Sequence, residues 1–139
     1  MFIKQITVFA ENKVGRLSEI LTELGKNGID ISALSLADTT DFGLLRLIVD
    51  TPEKAISVLS DHGVAAKITE VLAIAVSDTP GGLAGALEIL TKEKISVEYM
   101  YAFVGRHKDA FVVLRTDSDE KAAKVCADNG IKVIGDTDI

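Results

Sequence analysis

The feature that most constrains the fold of this chain is an internal repeat. When the sequence is aligned with itself at a shift of 66 residues, Gly15 meets Gly81. After one extra residue in a loop, residues 50–64 align with residues 117–131, and 7 of these 15 positions are identical. Two matching segments in the same order indicate two copies of one structural unit. We therefore expect two modules, residues 1–70 and residues 71–139.

Each copy has the pattern strand, helix, strand, strand, helix, strand. The first helix of each copy has apolar residues at the i, i+3, i+4, i+7 spacing of one buried face. These residues are Leu17, Ile20, Leu21 and Leu24 in the first copy and Leu83, Ala86, Leu87 and Leu90 in the second. We expect either Gly25 or Gly28 to end the first helix. The final strands are expected near residues 65–70 and 132–135.

This order predicts an α+β fold of two ferredoxin-like βαββαβ modules, each an antiparallel sheet with its helices on one face. The other sheet face is also apolar: Leu45, Leu47 and Val49 point one way, whereas Leu44 and Ile48 point the other. In the second copy, Val97, Tyr99, Tyr101 and Phe103 are expected to share a face. A sheet that is apolar on both faces must be shielded from water on both. We therefore expect the modules to pack against each other, against a second chain, or both.

The composition and charge of the chain exclude several classes of protein. Apolar residues make up 47% of the chain, but no apolar run approaches the roughly 20 residues that span a bilayer. The N-terminus lacks the pattern of a signal peptide, and a cytoplasmic protein is expected. The net charge of −6 divides evenly between the copies, so nucleic-acid binding is not expected. The single cysteine, Cys126, excludes an internal disulfide and a multi-cysteine metal site. No metal, cofactor or membrane partner is expected.

Residues 77–83 concentrate turn-forming residues between a strand and a helix. Asp78 or Thr79 is expected to cap the helix and Pro80 to open it. Gly81 and Gly82 leave the free N–H groups of the helix start without neighbouring side chains. Such a site suits an anion, for example the α-carboxylate of an amino acid. The alternative interpretation is a well-formed helix start with no ligand.

This segment resembles the D-x-P-G-x-L pattern of the ACT domain, a regulatory amino-acid-binding module of metabolic enzymes. The match is complete at Asp78, Pro80, Gly81 and Leu83. In the first copy only Gly15 and Leu17 are kept, with Asn12 at the acidic position and Val14 in place of proline.

The resemblance implies that ACT domains pair and bind ligand between two of them. The first loop of one domain and the start of the second strand of the other would form the site. Carried onto this sequence, the ligand-binding residues of the first copy are Asn12, Val14, Gly15, Arg16, Leu17, Asp30 and Ile31. Those of the second copy are Asp78, Pro80, Gly81, Gly82, Leu83, Ser96 and Val97. The complete pattern favours the second copy as the better site.

Other reactive residues have simpler interpretations. His62 is expected to make a helix-end hydrogen bond, and His107 to lie exposed in a polar turn. Cys126 falls on a buried helix face and is expected to pack. Tyr99 and Tyr101 are expected at a sheet interface, with a pocket lining as the alternative.

The predicted function is that of a small-ligand sensor without catalytic residues. It would bind an amino acid, form a homodimer and regulate a metabolic enzyme or regulator. One alternative is a ligand-free module for protein assembly. Another is a small acylphosphatase-like hydrolase using Arg16 and Asn12, although the surrounding pattern differs from that family.

Overall fold

The computed structural model describes residues 2–38, 41–104 and 110–139. The chain divides into two compact units. The first unit is Lys4–Thr69, and the second unit is Glu70–Ile139 together with Phe2 and Ile3.

Each unit combines an antiparallel sheet with two helices. The strands are β1 (Ile3–Glu11), β2 (Ile31–Asp38), β3 (Phe42–Val49), β4 (Ala66–Val76), β5 (Val97–Val104) and β6 (Ala110–Thr116). The helices are α1 (Arg16–Lys26), α2 (Pro52–Asp61), α3 (Gly82–Lys92) and α4 (Asp119–Asp128), followed by a 3-10 turn at Asp136–Asp138. The strand order is β2-β3-β1-β4 in the first unit and β4-β6-β5 in the second. The predicted α+β class, with helices on one face of antiparallel sheets, is confirmed.

The core of the first unit lies between its helices and one sheet face. Ile20 and Leu24 of α1 are fully buried against residues such as Leu45 and Leu47 of β3. Val49 belongs to the same cluster, as the strand alternation predicts. Each fully buried aliphatic side chain contributes roughly 1.5–3 kcal/mol of transfer free energy. The helix continues past Gly25 and ends before Gly28, whose φ of +72° suits a glycine.

The core of the second unit repeats this arrangement. Leu72 and Ile74 of β4, Leu90 of α3 and Cys126 of α4 are buried in one cluster, and Phe2 packs against it. The packing role predicted for Cys126 is confirmed. Burial raises the pKa of the Cys126 thiol, because an apolar environment disfavours the thiolate.

The two units also share a hydrogen-bond pattern at the start of their second strands. The backbone N–H of Asp30 donates to Oδ1 of Asp50 at 3.1 Å, and that of Ser96 donates to Oδ1 of Asp117 at 3.1 Å. In return, the N–H groups of Asp50 and Asp117 donate to the carbonyl oxygens of Asp30 and Ser96. The repeat seen in sequence is therefore preserved at the level of single hydrogen bonds.

Several apolar side chains on the sheet faces away from the helices are buried as well. Ile48 is 1% exposed, and Val71, Ala73 and Val113 are completely buried. This burial agrees with the expectation that both faces need cover.

Three details differ from the sequence-based expectation. Strand β4 runs unbroken through residues 66–76, where two strands were predicted, because no glycine or proline interrupts its backbone pairing. The expected strand at 132–135 is only a bridge between Val133 and Ile74, cut short by the 3-10 turn. A register shift between Val97 and Tyr99 turns Val97 toward the helix-side core, away from the face it was predicted to share.

Candidate functional site

The loop between β1 and α1 is organised around Gly15. This residue is the N-cap of α1 and has a φ of +87°, a left-handed conformation that glycine adopts without strain. The N–H of Arg16 donates to the carbonyl oxygen of Lys13 at 3.2 Å, which closes the turn before the helix. Gly15 has no side chain that could cap α1, so the first-turn N–H groups that follow Arg16 receive no hydrogen bond from the N-cap residue.

A cavity of about 420 Å³ opens beside this loop, within the first unit. We call it the loop cavity. Its volume falls in the range of roughly 300–1,000 Å³ that is usual for small-molecule sites. Its lining comes from the end of β1, the loop, the first turn of α1, the end of β2 and the start of β3: Ala10, Glu11, Asn12, Lys13, Gly15, Leu17, Ser18, Leu36, Asp38 and Gly43.

Charges of both signs meet in the loop cavity. Glu11 and Asp38 supply carboxylates, and Lys13 supplies an ammonium group 3.6 Å from the Glu11 carboxylate. The N-terminus of α1 adds partial positive charge beside Ser18. A ligand that carries an amino group and a carboxylate would therefore find complementary partners for both groups.

A second cavity of about 270 Å³ lies between α1 and the end of α2 in the first unit. We call it the helix-side cavity. It is lined by Arg16, Glu19, Ile20, Glu23, Leu59, His62 and Val64. Nδ1 of His62 lies 2.8 Å from the carbonyl oxygen of Val58, which confirms the predicted helix-end hydrogen bond. Nε2 of His62 lies 3.0 Å from Oε2 of Glu23 and joins the two helices.

The corresponding loop of the second unit is more tightly folded. Gly81 is the N-cap of α3 with a φ of +85°, and the N–H of Gly82 donates to the carbonyl oxygen of Thr79 at 3.0 Å. The predicted capping by Asp78 or Thr79 is wrong, because neither side chain caps α3 and Thr79 lies in the preceding turn. Pro80 does not open the helix either, since α3 begins two residues later at Gly82.

The backbone of Ser77 passes so close to Gly82 that this position has no room for a side chain. A Cβ atom at this position would lie 2.1 Å from the carbonyl oxygen of Ser77. The hydroxyl groups of Ser77 and Thr79 also hydrogen-bond to each other at 2.6 Å. The two repeated loops therefore differ: the first tolerates Arg16 where the second requires glycine.

The structure separates the predicted site residues of the first copy into groups. Asn12, Gly15 and Leu17 line the loop cavity, whereas Arg16 lines the helix-side cavity. The side chain of Val14 is fully exposed. Asp30 and Ile31 stand at the opposite end of the sheet, because the eight residues of β2 span about 25 Å.

The predicted residues of the second copy follow the same division. Asp78, Pro80, Gly81, Gly82 and Leu83 belong to the loop and the first turn of α3. Ser96 and Val97 lie at the other end of their strand, and the backbone N–H of Ser96 is already bonded to Asp117. His107 lies outside the described residues.

Sequence reasoning missed most of the polar lining of the loop cavity. The lining residues that were not predicted are Ala10, Glu11, Lys13, Ser18, Leu36, Asp38 and Gly43. The signal that finds Asp38 and Gly43 is strand pairing: Gly43 is the register partner of both Ala10 and Asp38, so the end of β2 and the start of β3 lie beside the loop after β1.

Among residues 2–38, 41–104 and 110–139, no group of three or more His, Cys, Asp or Glu side chains is arranged to hold a metal ion. Within the same residues, every helix is too short or too polar to cross a membrane.

Comparison with solved structures finds a near-complete relative. The crystal structure of protein BT0572 from Bacteroides thetaiotaomicron is 39% identical, with a TM-score of 0.91, and the match covers 99% of this chain and 95% of that one. The ligand-free regulatory subunit of aspartate kinase from Thermus thermophilus has a TM-score of 0.61 at 14% identity, over 90% of this chain and 91% of that one.

The corresponding subunit from Thermus flavus has a TM-score of 0.62 at 12% identity, with 90% of each chain covered. At these identities the two kinase subunits show a shared fold alone. The comparison with curated proteins gives no match. The family described as the ACT domain pair matches residues 1–139, and this chain belongs to that family.

Proposed function

We propose that this protein is a non-catalytic sensor that binds a free α-amino acid in the loop cavity and regulates a partner in amino-acid metabolism. The observation that carries this proposal is the loop cavity itself. It combines a small-molecule volume with groups of both charge signs and an uncapped helix N-terminus. Membership of a regulatory domain family supports the same function.

The lining suggests a role for each group. The carboxylates of Asp38 and Glu11 would receive the ligand's amino group. The ammonium group of Lys13 and the first-turn N–H groups beside Ser18 would receive its α-carboxylate. Ala10, Leu17 and Leu36 offer apolar contact to the ligand's side chain.

The exposed edge of the first unit supports assembly with a second chain. Leu34 and Leu36 of β2 and Phe42 of β3 are each about half exposed, and β2 is the edge strand of the sheet. Covering this edge in a homodimer would also enclose the loop cavity, because Leu36 belongs to both surfaces.

Isothermal titration calorimetry with the twenty amino acids tests the proposal. We expect at least one to bind, and we expect Asp38→Asn to weaken that binding about fivefold, because an exposed charge-assisted contact to the amino group is lost. Asp61→Asn is the matched control: it removes the same charge from an exposed position that lines neither cavity, and affinity should be unchanged.

Failure of all twenty amino acids to bind would contradict the proposal and leave the assembly module as the function. Equal weakening by both aspartate variants would show that net charge acts at long range, which would contradict the assignment of Asp38 to the site.

A further inference from the structure

Arg16 begins α1, the helix whose first residues line both cavities of the first unit. Its neighbours Gly15 and Leu17 line the loop cavity, but the Arg16 side chain lines the helix-side cavity. That side chain is only 18% exposed. Its guanidinium donates from Nη1 to Oε2 of Glu19 at 3.1 Å.

This position of Arg16 is weakly held. Its Nε atom is buried and has no hydrogen-bond partner among the described residues, an arrangement that costs the desolvation of an N–H group without compensation. The Glu19 side chain is 62% exposed, and ion pairs with an exposed partner contribute little stability. Arg16 would therefore gain from a partner that satisfies more of its donors.

The side chains that line the loop cavity carry more negative than positive charge. Glu11 and Asp38 contribute two negative charges, and Lys13 is already paired with Glu11. A zwitterionic ligand would bring a third carboxylate. The arginine between Gly15 and Leu17 is suitable to neutralise it, because a guanidinium binds a carboxylate in a bidentate manner.

We propose that Arg16 joins Lys13 and the first-turn N–H groups in binding the ligand's α-carboxylate, and that it exchanges Glu19 for the ligand when an amino acid binds. This inference rests on the proposed function and adds a regulatory step to it. The second unit has no equivalent, since Gly82 stands at this position and its backbone contact with Ser77 leaves no space for a side chain.

The exchange would transmit the effect of ligand binding from the loop cavity to the helix-side cavity. When Arg16 leaves the helix-side cavity, Glu19 loses its partner, and the cavity next to Glu23 and His62 changes its charge. The His62 imidazole, held between Val58 and Glu23, is therefore a spectroscopic reporter of the exchange.

Three variants test the proposal by calorimetry with the tightest-binding amino acid of the panel and with its primary amide. Arg16→Gln should weaken binding of the amino acid about tenfold or more and change binding of the amide less than twofold. The amino-acid affinity of Arg16→Lys should lie between those of Arg16→Gln and the unmodified protein, since lysine keeps the charge without the bidentate geometry. Glu19→Gln should tighten amino-acid binding about two- to fivefold, because the competing partner of Arg16 is removed.

Lys54→Gln, at an exposed position of α2 that lines neither cavity, is the matched control for lost positive charge and should leave affinity unchanged. In NMR spectra, the His62 ring signals should shift on ligand binding in the unmodified protein and stay fixed in the Arg16→Gln variant. Wild-type binding with no effect of Arg16→Gln or Glu19→Gln would overturn this inference and leave the proposed function intact. An absence of binding in the unmodified protein would overturn both.

Discussion

Replacing Gly82 by alanine is expected to destabilise the second unit by about 3 kcal/mol, the upper end of the usual cost of overpacking. The new Cβ would lie 2.1 Å from the carbonyl oxygen of Ser77 and 3.2 Å from its carbonyl carbon. Both are backbone atoms, which cannot move aside without opening the loop. The turn bond from the N–H of Gly82 to the Thr79 carbonyl would be disturbed at the same time.

Gly85→Ala is the matched control for this variant. Gly85 lies inside α3, and a Cβ there would meet no atom of the described residues within 4 Å. Alanine is the better helix former, so a stabilisation of about 0.5–1 kcal/mol is expected. Urea denaturation followed by circular dichroism measures both changes. If Gly82→Ala is as stable as the unmodified protein, this result would contradict the close contact between the Ser77 carbonyl group and Gly82.

Replacing Leu24 by alanine is expected to destabilise the first unit by about 3 kcal/mol. Leu24 is fully buried in the core beneath α1, and truncating it leaves a cavity as well as removing apolar contacts. Amide hydrogen exchange should locate the effect, with faster exchange in β1 and β3 than in α4.

Leu34→Ala removes the same atoms from a side chain that is 51% exposed. We expect a loss below about 1 kcal/mol, because much of this surface already contacts water. Comparable losses for the two leucine variants would contradict the burial of Leu24 in the core of the first unit.

The architecture could be predicted because its signals are local or repeated. The spacing of Leu17, Ile20 and Leu24 is sufficient by itself to locate the buried face of α1. The alignment of residues 50–64 with 117–131 anticipates α2 and α4 in equivalent places. The β-bulge near Val97 left no comparable signal, because nothing in the local alternation marks the extra residue.

The candidate site could be predicted only in part. The glycine-leucine pattern led to Gly15 and Leu17, but Asp38 comes beside them through the pairing of β2 with β3 and of β3 with β1. The orientation of Arg16 depends on helix packing that the sequence does not encode locally. The preference of the sequence pattern for the second copy stays a prediction, because residues 105–109, between β5 and β6, lie outside the described residues.

Binding of an amino acid in the loop cavity of the first unit is tested most directly by amide chemical-shift mapping. The ¹⁵N-labelled protein would be saturated with the tightest-binding amino acid. We expect the largest shifts at Asn12, Gly15, Ser18, Asp38 and Gly43, which surround the cavity. Shifts confined to the loop around Gly81 and Gly82, with the first-unit amides unchanged, would contradict binding in the loop cavity.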